Sequence, residues 1–277
     1  MKKSNSVSVP RALATAARAA RAAGALMRKN WRSPKLVKAA TQYDIKLDLD
    51  VRCQRVIEKT LRADFPHINM LAEEGDSGDV SLEYRWVVDP IDGTVNYAYG
   101  IPHAAVSIAL QKRVGKTYET LLGVIYEPFT DEIWTATQTS PARLNGRVIH
   151  TAKRPKLAEC IVTTGFAKSE ASLNEMLPFF GQLARNVRKV RMLGSAALAL
   201  TYVATGRLDA YIESRVNLWD IAAGALILER AGGEFWFEPF PGEPHVLRLI
   251  ANNGHIRKKL QALGLFKNKP GLAAKPK

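Results

Sequence analysis

Apolar positions in the first thirty residues recur at alternating spacings of four and three. Leu13, Ala17, Ala20, Gly24, Met27 and Trp31 form this series, which predicts an amphipathic first helix with that stripe turned inward. Arg11, Arg18, Arg21, Arg28 and Arg32 fall beside the stripe, on the expected solvated flank. A second helix is predicted over 51–65, with Val51, Val56, Ile57, Leu61 and Phe65 apolar, and Pro66 stops it. The period then changes. INMLAEE, RWVVDP, HAAVSIALQKR, ETLLGVIYEP and DEIWTATQ read as strands. The last three follow one another directly, which predicts a sheet that is at least partly antiparallel.

Residues 145–156 are polar and basic, and a domain boundary is expected there. It divides an N-terminal α+β part, 1–150, from a C-terminal α/β part, 151–277. Beyond the boundary strands and helices alternate: CIVTTGF, a helix through LNEMLPFFGQLARNV, KVRML, a helix over 195–204, LDAYIES, a helix over 220–231, and GEFWFEP. That alternation is the mark of an α/β layer.

Hydrophobic content of 47% and charged content of 24% describe an ordinary globular chain. No apolar run approaches the roughly 20 residues of a membrane-spanning helix. Cys53 and Cys160 form no ligand-spaced cluster and are expected to be reduced, in a cytoplasmic protein. The first acidic residue is Asp44, which gives the N-terminus the look of a transit peptide. The helical stripe favours a folded helix instead. A net charge of +14 suits anionic partners: phosphorylated metabolites, nucleic acid or acidic proteins. No aromatic–basic interleaving of the RNA-module type accompanies it. The basic tail from about residue 267 carries no pattern and is expected to be disordered.

The chemistry concentrates in WVVDPIDGTVNY, residues 86–97. Asp89 and Asp92 flank Pro90 and Ile91 at the end of an apolar strand, where like charges repel unless something positive lies between them. A lysine, an arginine or a metal ion could serve. Two carboxylates and the Ile91 carbonyl make an oxygen-only set, which suits a hard cation such as Mg²⁺ rather than zinc. Gly93 and Thr94 lead into a turn, and a helix starting there offers N–H groups to a phosphate. Glu73 and Glu74 close INMLAEE, and Asp44 and Asp50 add earlier carboxylates. Asp220, at the head of DIAAGALILERAGG, is either an N-cap or a further ligand.

DPIDGT, with AEEG upstream and NYAYGIPHAAVSIAL, GSAAL and WDIAAG following in order, resembles the inositol monophosphatase family. The resemblance runs from about Ala12 to Asn253 and implies a layered αβαβα sandwich of the sugar-phosphatase type. It implies two or three Mg²⁺ per site, held by Glu73, Asp89, Asp92, Asp220 and the Ile91 carbonyl, with Glu74 in support. The implied reaction is hydrolysis of a phosphate monoester by in-line attack of an activated water. Clustered Mg²⁺ would neutralise the dianion and the leaving alkoxide. Glu73 and Thr94 would position the water, with Asp50 hydrogen-bonded to the Thr94 hydroxyl. The Gly93 and Thr94 amides would hold the phosphate, and Gly194, Ser195, Ala196 and Glu213 would contact the alcohol.

Inositol monophosphate leads as substrate, ahead of histidinol phosphate, fructose 1,6-bisphosphate and 3′-phosphonucleotides. The family implies a homodimer, and some bacterial relatives act with transcription antitermination machinery, so RNA or that machinery is a non-enzymatic alternative partner. The chain departs from the family pattern at Leu47, where a threonine is usual. It departs again at Ser214 and Arg215, where an apolar residue and glycine are usual, and at Asn217, often basic in relatives. The last three fall in the strip that faces the substrate.

Overall fold

The computed structural model describes residues 7–41, 45–165, 170–240 and 242–264. It opens with helix α1 (Val9–Asn30), whose buried stripe is Ala12, Thr15, Ala16, Ala19, Ala20, Ala23, Gly24 and Met27. The stripe is therefore rotated from the expected one, with Leu13 and Ala17 at its margin. The cause is close approach. A Cβ on Gly24 would lie 2.4 Å from the Tyr126 ring, so small residues face the sheet. The flanking arginines are tied down rather than simply solvated. Arg11 and Arg18 pair with Asp64, Arg21 with Asp131 at 3.0 Å, and Arg28 donates to the Tyr126 hydroxyl and the Pro128 carbonyl.

A short antiparallel pair, β1 (Val37–Ala40) and β2 (Ile45–Leu47), leads into α2 (Asp48–Asp64). Strands β3 (Asn69–Ala72) and β4 (Tyr84–Asp92) follow, then α3 (Thr94–Ala98). The chain continues through β5 (Ala105–Val114), β6 (Thr117–Glu127), β7 (Glu132–Thr137), β8 (Ser140–Leu144) and β9 (Arg147–Val148). Strands β3 to β9 lie in sequence order in one seven-stranded sheet, antiparallel except for the parallel β3–β4 pair. The polar stretch expected to be a boundary holds β9 and part of its hairpin with β8, because Asn145 takes a left-handed turn at φ 47°.

The second sheet begins with β10 (Ile161–Gly165) and is interleaved with α4 (Glu170–Asn186), β11 (Lys189–Arg191), α5 (Ala196–Ala204), β12 (Ala210–Asn217), α6 (Leu218–Arg230) and β13 (Glu234–Phe240). It closes with β14 (Glu243–Asn252), and α7 (Arg257–Ala262) follows. The strand order is β11-β10-β12-β14-β13. Only β10, β11 and β12 are parallel; β14 enters antiparallel between β12 and β13, an element the alternation did not reveal.

Three apolar clusters define the layers. Alternate residues of the first sheet, among them Met70, Trp86 and Val88, pack on α1 and α2. Their neighbours Leu71 and Val87 face α5 and α6, which in turn meet Tyr211, Leu247 and Leu249 of the second sheet. The far face of that sheet, through Val162, Ala210 and Ile250, covers α4 and α7. The period of two sends each strand's side chains to both faces, and the result is a layered αβαβα sandwich. Helix α6 sits nearest the first sheet at Gly123, where a Cβ would lie 2.6 Å from the Ala223 carbonyl. Gly123→Ala is therefore expected to cost about 1–3 kcal/mol, read as a lower denaturation midpoint. It should also weaken divalent-cation binding, since α6 carries Asp220; an unchanged midpoint would show that the helix can shift at no cost.

Candidate active site

The two aspartates of DPIDGT stand where β4 breaks its pairing. The β4–β5 register slips between Asp89 and Asp92, and both carboxyls are buried, at 2% and 7% exposure. Asp89 Oδ1 accepts the Ile91 N–H at 2.9 Å, which closes a tight turn over Pro90. Gly93 follows at φ 92°, and a Cβ there would lie 2.9 Å from the His103 carbonyl. Both facts require glycine. Thr94 then begins α3 and donates its hydroxyl proton to the Ile91 carbonyl at 2.8 Å. On the parallel neighbour, Glu73 lies one residue beyond β3, its N–H bonded to Val88 O at 3.3 Å. Its carboxyl is hydrogen-bonded to that of Asp89.

Two helix starts complete the cluster. Asp220 is the third residue of α6, and its Oδ2 accepts the Asn217 N–H at 2.9 Å in a capping box. Asp220 thus serves the cap from the third helical position, with Asn217 at the N-cap itself, and the same carboxyl meets Asp89 and Asp92, one oxygen from each lying within 4.8 Å of the others. Asp92 is gripped by the start of α5: the Ser195 hydroxyl and the Ala197 N–H, at 2.8 Å, reach Oδ2, and the Ala196 N–H reaches Oδ1 at 3.2 Å. The positive end of the helix dipole thus faces Asp92. Ser195 and Ala196, expected to contact the alcohol, line the cavity, and the Ser195 hydroxyl and Ala196 N–H also hold Asp92. A serine followed by an alanine-rich helix was a capping signal that could have suggested this.

Burial is the first cause of the electrostatics. It pushes Asp89 and Asp220 far above the carboxylate range, and the charges of Glu73 and of the other aspartates add to it. Asp92 rises from 3.8 to about 6 through burial, opposed by Ser195 and the α5 amides. Among the described residues no lysine or arginine pairs with Asp89, Asp92 or Asp220. Among the described residues, then, neither a lysine nor an arginine fills that role, and the three carboxylates are placed so that they could hold a metal ion. The donor set, all oxygen and partly pre-oriented, fits a hard divalent ion.

A cavity of about 500 Å³ opens beside the cluster, lined by Asp220, Gly194, Ser195, Ala196, Glu213 and Asn96 among others. Burial pushes Glu213 up to about 8, and the Tyr211 hydroxyl donates to it at 3.2 Å. Its carboxyl leans over Gly165, where a Cβ would collide with it. Asn96, which sequence reasoning passed over, donates to His103 O at 2.9 Å and Leu193 O at 2.8 Å, so it ties α3 to the Gly194 loop. Asp50 caps α2 by accepting the Leu47 N–H at 2.6 Å, and its charge adds to the burial that pushes up the hydroxyl of Tyr97 in α3. With one proton, already given to Ile91, the Thr94 hydroxyl does not donate to Asp50 in this conformation. Glu74 pairs with Lys46 at 3.4 Å. His103 packs edge-on to Tyr202 as a loop histidine. Asp44 and the tail from 267 lie outside the described residues.

The five-layer sandwich brings acidic strand and helix ends together in one cluster, and through Asp220 that cluster reaches the cavity. The pattern of the inositol monophosphatase family matches residues 10–261, and the chain belongs to that family. It is 37% identical to the Nus factor SuhB of Escherichia coli K12, over 79% of this chain and 82% of that protein. It is 36% identical to the fructose-1,6-bisphosphatase/inositol-1-monophosphatase of Thermotoga maritima, over 77% and 79%. The solved inositol monophosphatase of Anabaena superposes with a TM-score of 0.80 at 32% identity, covering 95% of this chain and 98% of that one.

The raised carboxylates couple stability to pH. Asp92 binds its proton more tightly in the fold than in the unfolded chain, so its contribution favours folding below about 4 and is lost as pH rises through about 6. Asp220→Asn keeps the cap acceptor and removes one charge. In EDTA it should be more stable than the parent at pH 8 by at least about 1 kcal/mol, with the difference shrinking towards pH 4 in paired thermal melts. Added divalent cation should stabilise the parent and not the variant. A variant less stable than its parent at pH 8 in EDTA would show that the cluster does not repel itself.

Proposed function

We propose that the protein is a Mg²⁺-dependent phosphomonoesterase acting on a small polyol phosphate, with inositol monophosphate the first choice of substrate. The observation that carries this reading is the buried trio Asp89, Asp92 and Asp220, without a cationic side chain, at the mouth of a 500 Å³ cavity. Glu73, the trio and the Ile91 carbonyl would hold Mg²⁺; the carbonyl has a second lone pair beside the one Thr94 uses. When bound, Mg²⁺ supplies the positive charge that a phosphate dianion and a departing alkoxide need.

The chain's own groups do the rest. Thr94 Oγ1, its proton directed to Ile91 O, presents lone pairs that accept a hydrogen bond from the attacking water. The Glu73 carboxylate takes the water's other proton, which orients the oxygen for in-line attack. N–H groups of Gly93 and Thr94, at the open first turn of α3, face the phosphate. Asp50 positions rather than reacts: it caps α2 at the Leu47 N–H. Gly194, Ser195, Ala196 and Glu213 line the space for the alcohol. Glu213, neutral below about 8, donates to a hydroxyl there. We extend the reading to a cytoplasmic homodimer.

A second reading, RNA or transcription-machinery binding through the basic surface, draws support from the net charge of +14 and from relatives named Nus factor SuhB. It adds to the enzymatic role rather than replacing it, because a purely structural protein gains nothing from a self-repelling acidic cluster.

Phosphate release from inositol 1-phosphate, histidinol phosphate, fructose 1,6-bisphosphate and 3′-phosphoadenosine 5′-phosphate, each with Mg²⁺ and with EDTA, tests the reading. Activity is expected only with Mg²⁺. Asp92→Asn should lower kcat/KM by roughly a hundredfold or more at saturating Mg²⁺, and near-normal turnover in that variant would sink the assignment.

A further inference from the structure

A second cavity, of about 380 Å³, is lined by three arginines, Arg154, Arg188 and Arg207, together with Glu159, Ile161 and Gly206. It lies where the parallel strands of the second sheet begin, whereas the first cavity lies at Gly165 and Glu213, where they end. Ile161 opens β10, and the Arg188 N–H bonds the Cys160 carbonyl at 2.9 Å, one residue ahead of β11. Gly206 follows the C-terminal end of α5, the helix whose first turn grips Asp92. Nine residues of α5 keep the two ends about 14 Å apart. The two cavities share no lining residue.

Two of the arginines are fixed by partners behind the cavity wall. Arg154 gives its Nε proton to both oxygens of the wholly buried Asp209, at 2.8 and 3.0 Å, and an Nη2 proton to the Gly206 carbonyl at 2.8 Å. A guanidinium has five N–H protons, so Arg154 keeps others to offer from a position that Asp209 sets. Arg207 meets Glu132 through both Nη atoms and lies over the Tyr202 ring, 5.1 Å from its centroid. Arg188 differs. It is exposed, and among the described residues no carboxylate pairs with it. Glu159, the acid on the cavity wall, is met by Lys156 at 3.4 Å. Four cations therefore face the three carboxylates of Asp209, Glu132 and Glu159, and the charge left over is that of Arg188.

We propose that this cavity is a second binding site, for a phosphate group, separate from the acidic one. Arg154, held by Asp209, receives the anion, and the unpaired Arg188 closes on it with its planar fork. Two parallel hydrogen bonds from one guanidinium match two oxygens of a phosphate. About 380 Å³ has room for a nucleotide as well as for free phosphate. Phosphate is the chemistry the two share. The inference goes beyond the phosphatase reading and does not depend on it.

The test uses the full chain in EDTA, where the acidic cluster holds no cation and repels anions. Inorganic phosphate and adenosine 5′-monophosphate are each titrated by calorimetry at constant ionic strength. Saturable binding at one site is expected for at least one of them. A tighter Kd for the nucleotide assigns the cavity to nucleotides, and an equal or weaker one assigns it to free phosphate. Arg188→Gln should raise that Kd by roughly tenfold or more, and Arg188→Lys, which keeps the charge without the fork, should recover part of the loss. Arg185→Gln, which removes an exposed arginine outside the cavity, should change nothing. Because Arg188 is exposed, its variants should melt with the parent, so a weaker Kd reports the site and not the fold. Absence of saturable binding in the parent overturns the proposal. So does an unchanged Kd in Arg188→Gln, or an equal loss in Arg188→Gln and Arg185→Gln, which marks a response to net charge alone.

Discussion

Repulsion among three crowded carboxylates, two of them on buried residues, is the constraint around which this molecule is organised. Asp89, Asp92 and Asp220 come from a strand end and the start of a helix, in two different halves of the chain. Bringing them within 4.8 Å opposes folding, so other forces must hold them. Helices α5 and α6 supply much of that. They lie between the two sheets, in the largest apolar cluster, and their first turns are aimed at the acids. Hydrophobic burial far from the cavity thus stabilises an arrangement that electrostatics resists. Such local conflict is expected where a site must be ready for a ligand not yet bound.

The same helix starts answer two demands at once. A helix N-terminus leaves N–H groups unpaired, and here acidic side chains satisfy them. Asp92 does so for α5 from another element, and Asp220 for α6 from within. The acids are fixed by the bonds that end each helix properly, and loss of either cap would loosen both helix and site.

Much of this was legible in the sequence, for physical reasons that differ by element. The strands of the first sheet show because their two faces meet different layers and their apolar runs are bounded by turns. DPIDGT shows because so few arrangements tolerate two aspartates around a proline at a strand end. The first helix was misphased by one step, since a stripe chosen for size passed over the alanines that close approach demands. Strand β14 was missed, because a run broken by Pro244, His245 and Arg248 does not resemble a central strand. The hold of Ser195 on Asp92 spans 103 residues, and no local pattern encodes a contact of that range. Arg215 was visible as a departure from its relatives, but its place above Phe240 depends on a hairpin that only folding brings near.

Asn96 has a wider consequence. Its side-chain amide donates to two carbonyls from different parts of the chain, His103 on the first sheet's connection and Leu193 on the second's. Ser107 adds a further link from β5 to Trp219 O at 3.2 Å. Two halves stitched at the rim of their own cleft cannot swing open as a hinge without breaking these bonds first. Three side-chain bonds thus act as a clasp across the fold, and any widening of the gap starts with their release.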